Sequence, residues 1–361
     1  MKKSIASALT AAVVLGVAST SFAAPVDDEV AALKARVAEL ERMIKEQQQQ
    51  NNNNAQKSEV RNLDSRVSEL EEKSSQPSLS DKFDITGELR YRFWNLYKRP
   101  DVSQLQLRLF PTFKIDEHFA VKSRLTGSYT MNNDTETNAA VTYAYLESKF
   151  DNFQVNAGKL PLFTNVDQGM VADDFFSGIQ IIAGDKVKFA LNGGHWDSDS
   201  DALTDARTYV GAEVTGKFND KFDAGIGYHY AKIGGTDDKA SIIAGGFGFN
   251  FAEDWRLFGA VAHNTEADDD ETGYNVELNY KGADKKEKSS WGAYAAYRYV
   301  PSTVGLAPTY DTFRITDKKG FEVGATWTPY QNTLTKLAYF HGKRFGGGDD
   351  RTFFARASIF F

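Results

Sequence analysis

From Phe83 to the end of the chain, apolar and polar residues alternate in segments of about ten residues, the period of half-buried strands. In the first segment Ile85, Gly87, Leu89, Tyr91 and Phe93 share one face, while Glu88, Arg90, Arg92 and Trp94 share the other. Leu105, Leu107 and Leu109 repeat the pattern, then Phe119, Val121, Leu125 and Tyr129, and strands follow at 141–149 and 153–159. More are expected near 178–182, 187–193, 208–218, 222–231 and 242–251. Another six begin near Trp255, Tyr274, Trp291, Phe321, Thr333 and Thr352. The last places Phe353, Ala355, Ala357, Ile359 and Phe361 on one face. About sixteen strands result, an even number, and an all-β domain spanning 83–361.

The connections sharpen this picture. Every second one is tight: Asp116-Glu117, Asp151-Asn152, Gly184-Asp185, Asn219-Asp220, Glu253-Asp254, 282–288 and Tyr330-Gln331. Those between are long and acidic or glycine-rich, at 131–138, 196–205, 234–239, 265–272, 301–319 and 342–350. Short turns on one rim and long loops on the other are the layout of an antiparallel barrel crossing an outer membrane, with both termini on the short-turn side. A soluble sandwich has no reason to keep that alternation.

Before residue 83 the period changes. Val30, Leu33, Val37, Leu40 and Ile44 step by three and four, as do Val60, Leu63, Val67 and Leu70, with charged residues between. Two short heptad helices are expected within 24–73, separated by the polar tract 47–54 and out of phase with each other. A solvated spacer is the alternative reading. The segment 74–82, Ser-Ser-Gln-Pro-Ser-Leu-Ser-Asp-Lys, has the composition of a linker. At the start, Lys2 and Lys3, an apolar run from Ile5 to Val17 and the small residues around Ala23 make 1–23 a secretory signal peptide.

Composition changes the picture in three ways. Removing Lys2 and Lys3 takes the formal charge from -7 to -9, which argues against a nucleic-acid partner. With no cysteine there is neither a disulfide framework nor a thiolate metal site. The 29 glycines and 13% aromatic residues suit strands and turns. Candidate chemistry is sparse. Asp197, Asp199 and Asp201 imitate a calcium loop, but Ala202 stands where its glycine is required and Thr208 where its glutamate is required. The five histidines show no metal-binding spacing, and no nucleophile elbow appears, so neither an enzyme nor a cofactor is expected.

The terminal Phe361 resembles the assembly signal of bacterial outer-membrane barrels, which implies the barrel assembly machinery as a partner. The segment 159–181, with Asp167, Asp173 and Asp174 in an otherwise apolar stretch, resembles the inward-folded third loop of the trimeric porins of Gram-negative outer membranes. That resemblance implies a homotrimer in outer-membrane lipid, with Asp167, Asp173 and Asp174 at the constriction and the N-terminal segment in the periplasm. It further implies a water-filled pore for small hydrophilic solutes. The heptads depart from the general diffusion type and would oligomerise beneath the barrel or tie it to the cell wall. Alternation alone turns Arg90, Arg92, Arg108, Lys122, Arg124 and Arg356 into the lumen on four adjacent strands. Such a basic wall predicts a weak preference for anions. A channel selective for anions or oligosaccharides is the other transport reading, and a structural membrane-to-wall tether is the third.

Overall fold

The computed structural model describes residues 34–39, 42, 65–68, 79–131, 138–196, 207–232, 239–313 and 317–361. The chain divides into two compact units, Met1–Gln76 and Pro77–Phe361. In the first, residues 34–39, 42 and 65–68 are helical. Val37 and Val67 lie in these helical residues and are 50% and 49% exposed in the single chain. The other seven expected heptad positions, Val30, Leu33, Leu40, Ile44, Val60, Leu63 and Leu70, and the expected leader 1–23 lie outside the described residues. The last four residues of the 74–82 segment form a helical turn, Leu79–Lys82, directly before the first strand.

The second unit is a closed antiparallel barrel of sixteen strands. Its first half comprises β1 (Phe83–Leu96), β2 (Val102–Lys114), β3 (Phe119–Thr130), β4 (Asn138–Lys149), β5 (Phe153–Phe163), β6 (Asp173–Ala183), β7 (Val187–Trp196) and β8 (Arg207–Lys217). The second half comprises β9 (Phe222–Lys232), β10 (Lys239–Ala252), β11 (Trp255–Asn264), β12 (Thr272–Lys281), β13 (Trp291–Val300), β14 (Lys318–Trp327), β15 (Thr333–Arg344) and β16 (Asp349–Phe360). Closure comes from pairing β1 with β16, from Glu88 opposite Phe360 to Leu96 opposite Thr352. Beyond that ladder Phe361 and Gly87 exchange two backbone hydrogen bonds, of 3.1 and 2.7 Å. The Phe361 ring lies over Gly87, where a Cβ would come within 2.3 Å of it.

The turns form where short polar side chains replace the ladder. Asp116 Oδ1 accepts from the N–H groups of His118 and Phe119, both at 2.8 Å. Asn219 Oδ1 accepts from those of Lys221 and Phe222 in the same way. Outside, Ile179, Leu191, Val210, Ile226, Val261, Val276 and Leu337 are exposed along a continuous apolar face. Aromatic residues collect at the turn rim, with Phe150 stacked on Phe153 and Trp255 against Tyr280 and Phe251. A barrel that hides polar groups inside and offers apolar ones outside is built to sit in lipid. The expected rims hold, although the loops at 97–101 and 345–348 are as short as turns.

Candidate functional site

The sixth strand starts earlier than its pattern indicates. Leu160–Phe163 and Asp173–Phe176 continue the β5–β6 ladder, ending with Phe163 opposite Asp173. The third loop is therefore only residues 164–172, and Asp173 and Asp174 are strand residues. This corrects their assignment to the loop, because the pairing of Leu160, Pro161, Leu162 and Phe163 with 173–176 outlasts the apparent break at Pro161. The loop nonetheless folds into the barrel, as an apolar loop must. Thr164, Val166, Asp167, Met170, Val171 and Ala172 are all buried. It leans along the inner wall to β8–β10, where the Val166 N–H and Asn165 Nδ2 donate to Glu213 of β8 at 3.2 and 3.1 Å. Gly225 and Gly246 leave room for it, since a Cβ on Gly246 would stand 2.0 Å from the Val166 carbonyl oxygen.

A second loop enters beside it. Residues 301–317, between β13 and β14, form a parallel bridge between Ala307 and Ala172. The Asp173 N–H donates to the Ala307 carbonyl at 2.7 Å, and the Ala307 N–H to that of Val171 at 3.0 Å. The two loops share an apolar core with inward side chains of the wall, among them Trp196, Tyr209, Ile242, Phe258 and Phe340. Burial of each large apolar side chain is worth roughly 1.5–3 kcal/mol, so the loop pair is held by more than its hydrogen bonds. A uniformly polar inner face was the natural expectation, and it fails here because these strands face packed loop rather than water.

Beside the loops lies a cavity of about 890 Å³, lined by β1–β3, the start of β6, β12–β16 and the two loops themselves. Arg90, Arg92, Arg108, Arg124 and Arg356 all line it, so the structure brings together five of the six expected wall cations. The sixth, Lys122, sits lower and is tied to Glu147 at 2.8 Å. Its distance from the cavity follows from its place near the start of β3. Lys336, Arg298, Asp173, Glu277, Asp311 and Glu322 also line the cavity, giving seven cations and four carboxylates in all. Glu88 lies behind the wall, accepting from Arg90 at 2.8 and 3.0 Å and from Arg108 at 3.0 Å. Arg124 stacks on Phe175, 4.7 Å from the ring centre. Across the cavity Arg298 bridges Glu277 and Glu322 at 2.8 and 2.9 Å.

The three aspartates part company. Asp173 reaches the cavity and accepts from the Thr309 hydroxyl at 2.7 Å. Asp174 instead accepts from the Trp196 indole at 2.9 Å. Asp167 is fully buried inside its loop, accepting from Thr164 and the Val171 N–H at 2.6 and 3.2 Å. Missed by the sequence reading were Asp311, whose carboxylate accepts from Lys336 at 2.7 Å, and Lys336 itself. The available signal was the apolar content of 301–313, including Val304, Leu306, Tyr310 and Phe313. Asp197, Asp199 and Asp201 lie outside the described residues.

Neither a family model nor a curated relative matches this sequence. Solved structures do. A triple mutant of Rh. blastica porin aligns with 77% of this chain and 100% of its own at 12% identity and a TM-score of 0.54. OmpF of Salmonella typhi, in complex with daunomycin, covers 77% of this chain and 97% of its own at 13% identity and a TM-score of 0.54. A loop L8 deletion mutant of OmpT, an outer membrane protein of Vibrio cholerae, gives 12% identity, 77% and 99% coverage and a TM-score of 0.51. The barrel has the porin fold.

Within that fold Asp167 makes the docking of the third loop sensitive to pH. Burial pushes its carboxyl up to about 7, against hydrogen bonds from Thr164 and Val171 that pull it down, while Glu213 adds to the rise. A loop released into water returns Asp167 to its ordinary value near 3.8. A raised value in the docked state means docking is strongest below about pH 4 and weakens as the pH rises through about 7. Limited proteolysis of the third loop should therefore accelerate from pH 5 to pH 8 in the native chain and stay flat in Asp167→Asn. A flat native profile would place Asp167 in contact with water.

Proposed function

We propose that this chain is an outer-membrane porin, a water-filled channel for passive diffusion of small hydrophilic solutes and ions with a weak preference for anions. The observation that carries this reading is the cavity: it is lined by side chains rather than filled by them, and its cations outnumber its carboxylates. Sixteen strands leave an aqueous interior where eight would not. The porin fold and the apolar exterior support a Gram-negative outer membrane, with the turn rim and the N-terminal segment on the periplasmic side. Trimers, the barrel assembly machinery and outer-membrane lipid are the partners this reading entails. The heptad segment would associate beneath the barrel or reach the cell wall.

Local charge governs the selectivity, because charges lining a narrow aqueous lumen with low-dielectric walls are screened less than those on exposed loops. Reversal potentials across planar bilayers under a salt gradient test it. The native channel should favour anions slightly, and changing Arg90, Arg108 and Arg124 together to Ala should reverse the sign in favour of cations. An unchanged potential in that variant would remove the wall from the ion path. A native protein that forms no channel would sink the porin reading itself.

A further inference from the structure

Besides Glu88, an acid from the loop between β13 and β14, the seventh loop counted from β1, meets the basic wall. Asp311 Oδ2 accepts from Lys336 Nζ at 2.7 Å and lies 3.4 Å from Arg356 Nη1, and both cations line the cavity. Its neighbours fix it in place. The Asp311 carbonyl accepts from the Trp94 indole of β1 at 2.7 Å, Thr312 donates its hydroxyl to Glu322 of β14, and the Tyr310 ring lies 3.8 Å from the Arg298 guanidinium of β13. Further back, the Thr309 N–H donates to the Gly169 carbonyl at 2.9 Å, joining this loop to the third. A carboxylate whose own carbonyl is tied to β1, and whose neighbours Thr312, Tyr310 and Thr309 are tied to β14, β13 and the third loop, cannot follow a passing ion; it acts as a fixed charge. Burial pushes its carboxyl up, but Lys336 and Arg356 outweigh that and hold it below the usual carboxylate range, so it stays ionised.

Neither the third loop nor the start of β6 offers an equal. Asp167 is enclosed within it, Asp174 is turned onto Trp196, and Asp173 is shared with Thr309 at the cavity edge. We propose that Asp311 of the loop between β13 and β14 is the specificity-determining acid of the channel, neutralising Lys336 and Arg356 on one flank of a basic wall in which Arg90 and Arg108 are paired with Glu88. This rests on the porin reading above. The corollary is that Lys336 and Arg356 form an oxyanion site occupied by the chain's own carboxylate.

Single-channel recording of the full-length protein in planar bilayers tests it with opposing variants. Asp311→Asn should raise the anion-to-cation permeability ratio at least roughly threefold, because a fixed lumenal charge acts on every ion that passes. It should also make the current sensitive to inorganic phosphate, through the freed Lys336 and Arg356. Lys336→Gln leaves Asp311 less neutralised and should move the ratio toward cations, so a failure of one variant to insert leaves the other to decide. Asp311→Glu should keep the native ratio. A native channel whose ratio is unmoved by Asp311→Asn or by Lys336→Gln overturns the assignment, as does a larger shift from Asp173→Asn. Absence of any channel in the native protein instead overturns the porin reading.

Discussion

Deleting Phe361 should cut the amount of inserted barrel by about an order of magnitude or more, while deleting residues 24–74 leaves insertion near native. In the folded barrel Phe361 contributes two backbone hydrogen bonds to Gly87 and a ring over it. Two such bonds are worth about 1–3 kcal/mol net, which a sixteen-strand barrel can lose and remain closed. A drop in insertion larger than the loss of stability would therefore mean that the terminal aromatic acts before closure, as a recognition signal. Gly87→Leu separates the two roles. It keeps Phe361 but drives a side chain into the ring position, so the seam should be weakened without loss of delivery to the membrane. Heat-dependent gel mobility of outer-membrane fractions reads both, and native insertion without Phe361 would end the signal hypothesis.

Gly246→Leu should open the pore. Even its Cβ would stand 2.0 Å from the Val166 carbonyl oxygen, and the atom it meets is backbone, so the third loop must move. Val166, Met170 and Val171 would then leave their buried positions, at a cost of roughly 1.5–3 kcal/mol for each large side chain exposed. The barrel wall remains paired on both sides of β10 and has no reason to unfold. Single-channel conductance should rise by about half or more as the loop gives way to water. An unchanged conductance, with the barrel intact by gel mobility, would show that the third loop does not bound the aqueous path.

The strands were legible because each face of a barrel strand meets a different solvent, and period-two alternation records that directly. The same logic located Arg90, Arg92, Arg108, Arg124 and Arg356 on the inner face. It fails where both sides of a strand are dry. On β10, Ile242 faces the loop core and Ile243 faces outward, so the alternation there is weak and says nothing about what fills the interior. Asp311 stayed hidden for a related reason. Loop 301–317 was grouped with the acidic and glycine-rich external loops, although Val304, Leu306, Tyr310 and Phe313 carry the apolar content that marked the third loop as buried.

If the chain is a porin as proposed, the clustering of the cavity's arginines on β1–β3 and β16 ties conduction to assembly. Four of its arginines come from the first three strands, and Arg356 from the last one. The basic wall of the cavity thus straddles the join between the two ends of the barrel domain. The basic wall is complete only once Arg92 stands opposite Arg356 across the seam. A barrel arrested with its join ajar would lack its selective path even with every other strand in place. Charge selectivity therefore certifies completion: a chain that discriminates between ions has already found its own beginning.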